Sequence, residues 1–314
     1  MQRIALGSSS LLGSRLAYGC WRLAGTWHPA DVTQELEAQG RKAAIAAFEA
    51  GYTLFDHADI YCRGVAERIF GDVLREVPGM REKIIIATKG GIRVADDPPG
   101  APARYDFSAE HIINACEGSL RRLGIETIDL YQLHRPDFLA DPDEVALAFS
   151  KLKQAGKVRY FGMSNTRPSL ISALQKACPM PLVVHQVEIS IAKLDCFTDG
   201  TLDQCLELGM TPLAWSPLAK GLLGDGNSQN FPLRNAAPGT DRIVKALDRL
   251  AEAHGTTRTI VALAWLLKHP SKIIPVVGST NPERIREATR AAELALSREE
   301  WYQLLLAGRG EPLP

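Results

Sequence analysis

The sequence contains no CxxC pair and no cysteine–histidine spacing suited to a metal. Its six cysteines, at 20, 62, 116, 178, 196 and 205, are scattered, which points to reduced thiols and a cytoplasmic protein. Net charge is missing too. The 36 Lys and Arg residues balance 36 Asp and Glu residues, leaving no global field toward nucleic acid or an anionic membrane. The longest apolar run, residues 260–267, is far short of the roughly 20 residues a membrane helix needs. Residues 1–10 carry one Arg and an apolar stretch broken by Gly7 and three serines, too weak a core for a secretion signal. No GxGxxG lies between a strand and a helix, which argues against a doubly wound dinucleotide fold.

What is present is a repeated phrase: an amphipathic helix, a glycine, a short link, an apolar strand. Helices are expected over 41–50, 109–123, 143–155 and 201–208, each followed by glycine at 51, 124, 156 or 209. Glycine suits that position because it adopts the left-handed conformation cheaply. Ser108 is the expected cap of the second of these helices. Eight strands follow from the same pattern, at 16–19, 53–55, 84–88, 128–133, 160–163, 182–187, 212–215 and 273–277. Strands alternating with helices pair in parallel, and eight of them close into a (β/α)8 TIM barrel. With 314 residues and 46% hydrophobic content, the chain is expected to form one such domain, 1–314. Two irregular Gly/Pro-rich stretches, 90–105 and 220–240, follow strands and so belong to the catalytic face of such a barrel.

The expected strand ends carry Asp56, Lys89, His134, Ser164, Asn165, Gln186, Ser216, Gly278 and Ser279. An acid, an amine, an imidazole and carboxamides converging on one barrel mouth make a candidate site. The run Asp56-His57-Ala58-Asp59-Ile60-Tyr61, with Glu67, Gly71 and Leu74 after it, resembles the signature of the aldo-keto reductase superfamily. So do Ala87-Thr88-Lys89-Gly90, Tyr131-Gln132-Leu133-His134, Gly162-Met163-Ser164-Asn165, Gln186-Val187-Glu188, Trp215-Ser216-Pro217-Leu218 with Gly221, and Val277-Gly278-Ser279 before Pro282-Glu283-Arg284-Ile285. The style of these motifs is nearest to bacterial oxidoreductases and to members like the potassium-channel beta subunits.

The resemblance implies NADPH-dependent reduction of an aldehyde or ketone, with NADH use not excluded. It implies a tetrad of Asp56, Tyr61, Lys89 and His134. Tyr61 would be the general acid, and a neighbouring ammonium lowers a phenol's pKa from its usual value of about 10. Lys89 would be that ammonium, Asp56 its counter-ion, and His134 the group that orients the carbonyl. Ser164, Asn165 and Gln186 would hold the nicotinamide carboxamide, with Trp215 stacked on its ring. Gly19, Cys20 and Trp21 would lie under the nicotinamide ribose, and Ser216, Pro217, Leu218 and Gly221 along the pyrophosphate. Gly278, Ser279, Thr280 and Arg284 would meet the 2′-phosphate, and Glu287 the adenine. His57 and Asp59 are read as structural.

Three departures stand out. Cys62 replaces the glycine that commonly follows the tyrosine, and can alter the local turn or place an oxidation-prone thiol beside the site. Gly278 stands where many members have lysine, and Ala288 where many have asparagine. Two other readings remain: a cofactor-binding regulatory subunit with slow turnover, and a metal-dependent barrel hydrolase built on Asp56, His134 and His185. The expected partner is a small carbonyl compound rather than nucleic acid or membrane, with the protein a monomer or small homo-oligomer.

Overall fold

The computed structural model describes residues 1–225 and 239–313. Eight strands form a closed parallel barrel: β1 Ala17–Gly19, β2 Leu54–Asp56, β3 Ile85–Gly90, β4 Ile128–Leu133, β5 Val158–Ser164, β6 Leu182–Glu188, β7 Thr211–Trp215 and β8 Ile274–Val277. Each pairs with its sequence neighbours, and β8 returns to β1 through Val276 opposite Ala17 and Val277 opposite Tyr18. All eight overlap the strands expected from the sequence.

Helices cover the outside: α1 Gln34–Glu49, α2 Val65–Glu76, α3 Ala109–Leu123, α4 Pro142–Gln154, α5 Pro168–Ala177, α6 Thr201–Glu207, α7 Thr240–Ala253, α8 Arg258–Leu267, α9 Pro282–Ala288 and α10 Arg298–Arg309. The glycines at 51, 124, 156 and 209 all take positive φ, as their positions past helix ends require. Ser108 caps α3 by accepting from the His111 N–H. The first helix departs from expectation, for it begins at Gln34 rather than 41, with Thr33 accepting the Leu36 N–H as its cap. Its opening turns carry mostly polar residues, so they show little apolar periodicity. Gly40 lies within this helix because a Cβ there would overlap the Leu23 carbonyl oxygen. That close approach presses the segment after β1 onto α1.

The core divides at the barrel wall. Inside lie Ala17, Leu54, Ile85, Ala87, Leu130, Val184, Leu213, Ile274 and Val276, joined by Leu6 and Leu11. The last two come from an N-terminal antiparallel hairpin, Arg3–Ala5 with Leu12–Ser14, which the sequence reading did not contain. It closes the end of the barrel opposite the strand C-termini, tied by the Gly7 N–H to Thr211 Oγ1 at 2.8 Å. Outside, Phe55, Ile86, Tyr131 and Phe161 pack beneath the helices.

The stretch 90–105 is not wholly irregular, since Ile92–Arg93 pairs antiparallel with Arg104–Tyr105. Much of the stretch 220–240 lies outside the described residues. Among the described residues, no helix is long and apolar enough to cross a bilayer.

Candidate active site

Strand alternation builds the site. Leu54 faces the barrel interior, and Asp56, two residues on, has the same orientation at the mouth; Ile85, Ala87 and Lys89 repeat the pattern on β3. Leu130 leads in the same way to Gln132, and Leu213 to Trp215.

Lys89 is fully buried, yet each of its three ammonium protons has an acceptor within reach. Nζ lies 2.8 Å from Asp56 Oδ2, 2.7 Å from the His57 carbonyl and 3.2 Å from the Tyr61 hydroxyl. Gln132 Nε2 stands 3.5 Å from the other Asp56 oxygen. Burial opposes the charge on Lys89, but Asp56 and Tyr61 outweigh it and hold the amine above its ordinary pKa.

Tyr61 departs from the sequence expectation. Burial pushes its phenol above the ordinary range, and the Lys89 ammonium pulls it back only in part. Desolvation favours the neutral phenol here more than the cation favours the phenolate. The Tyr61 and His134 rings meet edge to face at 6.0 Å between centroids. Burial, reinforced by Lys89 and Arg135, holds His134 well below the usual imidazole range, so it is neutral at pH 7. Its Nδ1 is buried without a partner.

His57 turns to the opposite side and packs on Phe70 at 4.5 Å. Burial lowers its pKa to about 3. Asp59 is pushed up to about 8, first by burial and then by Glu67. Glu67 itself is buried, accepting from Thr88 Oγ1 at 2.5 Å and Arg122 Nε at 2.7 Å. This network braces β3 against α2 and α3 from outside the barrel.

Cys62 adopts the left-handed conformation, φ 47°, that a glycine would take without strain. Its side chain is buried in the core and burial raises its thiol pKa, which removes the expectation of an oxidation-prone thiol beside the site.

The residues expected at the cofactor fall into distinct situations. Asn165 is already engaged: Nδ2 donates to Ser164 Oγ at 2.7 Å and to the His134 carbonyl at 3.1 Å, and Oδ1 accepts from Trp215 Nε1 at 2.9 Å. Asn165 thus fixes the indole. Gln186 is buried with Nε2 unpartnered, a donor that a bound carboxamide oxygen would satisfy. Cys20 is a correction in detail, because it is fully buried in the core, backbone included, so none of it is exposed at the mouth. Beyond β7, Ser216, Ala219 and Lys220 all take positive φ, near Pro217, Leu218 and Gly221. Such conformations cost of order 1–3 kcal/mol each and cluster at binding sites.

At the far side, Asn281 caps α9 through Oδ1, accepting from the Glu283 and Arg284 N–H groups, and Pro282 opens the helix. Ser279, Thr280, Arg284 and Glu287 therefore gather at one end of β8, and the Tyr18 hydroxyl fixes the Ser279 carbonyl at 3.0 Å. Ala288 is core-buried, a setting unsuited to asparagine.

Sequence reasoning gave no role to Gln132, to the His57 carbonyl or to Arg135, whose guanidinium lies 5.4 Å from the Trp215 ring centre. A backbone carbonyl carries no residue signature, whereas Gln132 and Arg135 were signalled by strand parity and by position. The metal-hydrolase reading loses its ligands: Asp56 is held by Lys89, and His185 Nε2 accepts from the Thr166 N–H at 3.2 Å. Among the described residues, no group of three His, Cys, Asp or Glu side chains is arranged to hold a metal ion.

Comparison with known proteins agrees with this geometry. The model of the Aldo/keto reductase family matches residues 15–305. A 6-dehydroglucose reductase of Novosphingobium aromaticivorans is 41% identical, over 98% of this chain and 96% of that one. A second 6-dehydroglucose reductase, from Agrobacterium fabrum, is also 41% identical, over 99% of both. Among solved structures, the glycerol dehydrogenase of Gluconobacter oxydans superposes with a TM-score of 0.85 at 28% identity, over 100% of this chain and 98% of that one. From its strand-end motifs to its closed barrel, the chain belongs to the aldo/keto reductase family.

Proposed function

We propose that this protein reduces the carbonyl of a small polar compound, such as a sugar aldehyde, to an alcohol with NADPH. The observation that carries the reading is the buried Lys89 ammonium, bound at once to Asp56 and to the Tyr61 hydroxyl at the barrel mouth. The nicotinamide, when bound, supplies a hydride to the carbonyl carbon. Tyr61 Oη then gives its proton to the oxygen as negative charge grows there, and Lys89 stabilises the phenolate left behind. His134, neutral, is free to donate from its ring to the same oxygen and so to orient it. Gln186 Nε2 and the Trp215 ring fit a nicotinamide carboxamide and its ring plane. The sugar-aldehyde class rests on the names of the two relatives at 41% identity, since 6-dehydroglucose carries an aldehyde.

Preference for NADPH rests on the 2′-phosphate. Ser279, Thr280 and the guanidinium of Arg284, at the third position of α9, offer hydroxyl donors and a cation to such an anion. Arg284→Ala should weaken NADPH binding by about 1.5–3 kcal/mol, the range for a hydrogen bond to a charged group, and leave NADH binding nearly unchanged. Titration by tryptophan fluorescence, with Trp215 as reporter, measures both. Equal losses for the two cofactors would mean that Arg284 holds α9 in place rather than reading the phosphate. A wild-type protein that binds neither would sink the nicotinamide reading itself.

A further inference from the structure

The glycine at 278 lies against the Trp21 indole in this chain. A Cβ built there would stand 2.8 Å from Trp21 Nε1 and 3.3 Å from Trp21 Cδ1. The Trp21 indole as it stands occupies the space that the first carbon of a side chain at 278 would need, so in this arrangement a cation on this side of the β8 end comes from another element. One is adjacent. The Arg22 guanidinium lies 4.5 Å from the centre of the Trp21 ring, in range for a cation–π contact that holds a long side chain in place. Trp21, Arg22 and Thr280 together line a cavity of about 300 Å³, walled on its other side by Gly25, Leu36 and Gln39. None of these six is acidic. Among the described residues, the Arg22 guanidinium makes no hydrogen bond or ion pair, so its five donors are open to a ligand.

We propose that Arg22 is a cofactor-specificity residue. The Trp21 indole, expected under the nicotinamide ribose, stands instead against Gly278, and Arg22 stacked on it reaches the 2′-phosphate of NADPH across Thr280, taking the place of the lysine absent at 278. The phosphate would then lie between Arg284, from α9, and Arg22, from the segment after β1. Thr280 belongs to both surroundings: it lines the cavity and lies between Ser279 and the α9 cap. Planar paired donors suit a phosphate better than a point charge does, so the exchange of lysine for arginine preserves the chemistry on a different strand end. Gly40 supports the arrangement from beneath, because its missing side chain lets the segment after β1 lie against α1.

This inference rests on the nicotinamide reading above, and one experiment separates the two. Isothermal calorimetry on the folded protein gives the Kd of NADPH and of NADH for wild type, Arg22→Met and Arg22→Lys; calorimetry is preferred because Arg22 touches a tryptophan and would disturb fluorescence. Arg22 is exposed, so neither variant should lower the thermal midpoint. Arg22→Met is expected to raise the NADPH Kd about ten- to a hundredfold and to leave NADH within about threefold, with Arg22→Lys between Met and wild type for NADPH. Equal weakening of both cofactors would place Arg22 on the shared pyrophosphate and overturn the proposal. Unchanged binding of both in Arg22→Met would overturn it while leaving the nicotinamide reading intact. Failure of wild type to bind either would overturn both.

Discussion

Lys89→Met is expected to abolish measurable carbonyl reduction while the barrel still folds. The methionine matches the length of the lysine stem but brings no charge, so the Tyr61 hydroxyl loses its cation and Asp56 is left buried without one. Removing one partner of a buried ion pair typically costs about 3–5 kcal/mol, so a lowered thermal midpoint should accompany the lost activity. Asp56→Asn tests the same coupling from the other side. Without the carboxylate, burial acts on Lys89 unopposed by its strongest partner, and the amine's pKa falls. Activity in Asp56→Asn should therefore disappear at lower pH on the alkaline side than in wild type. An unchanged rate and an unchanged profile would rule out the pairing as the functional unit.

Tyr61→Phe should reduce turnover by at least about 10²-fold, the lower end of what a positioned general acid supplies. NADPH affinity should hardly change, because the hydroxyl is held by Lys89 and is assigned to the substrate oxygen rather than to the cofactor. The pH dependence has a defined sign. Burial raises the Tyr61 phenol above its ordinary range, so the protonated acid persists through neutrality and the alkaline loss of reduction lies above the ordinary phenol range. His134, held far below the usual imidazole value, should add no break near pH 6.5. Near-normal turnover in Tyr61→Phe on a good substrate would remove the tyrosine from the mechanism.

The barrel was legible because its signals are local. Glycine marked four helix ends, and the ends of the expected strands brought Asp56, Lys89 and His134 to one mouth, while the place of Trp215 came from the family resemblance. The N-terminal hairpin was not legible, since strands of three residues, Arg3–Ala5 and Leu12–Ser14, are too short to show alternation. The polar first turns of α1 concealed its start for a similar reason.

Within the site, residue types revealed which groups meet but not the balance of forces among them. The ammonium beside Tyr61 was foreseen, while the burial that outweighs it depends on the packing of the whole mouth. The inward turn of the Cys20 side chain and the backbone carbonyl of His57 on Lys89 are likewise facts of packing. Gly278 stands where many members of the family have lysine, and the Trp21 indole lies where a side chain there would begin.

Turnover decides whether the Tyr61–Lys89 mouth reduces a carbonyl with NADPH. Purified wild-type protein would be mixed with NADPH and a panel of small carbonyl compounds that includes a sugar bearing a terminal aldehyde. Loss of NADPH absorbance and appearance of the alcohol would be followed together. One alcohol formed per NADPH consumed, absent in Lys89→Met and strongly slowed in Tyr61→Phe, is the predicted result. Tight NADPH binding with no alcohol formed from any member of the panel would contradict it and favour a cofactor-binding regulatory subunit.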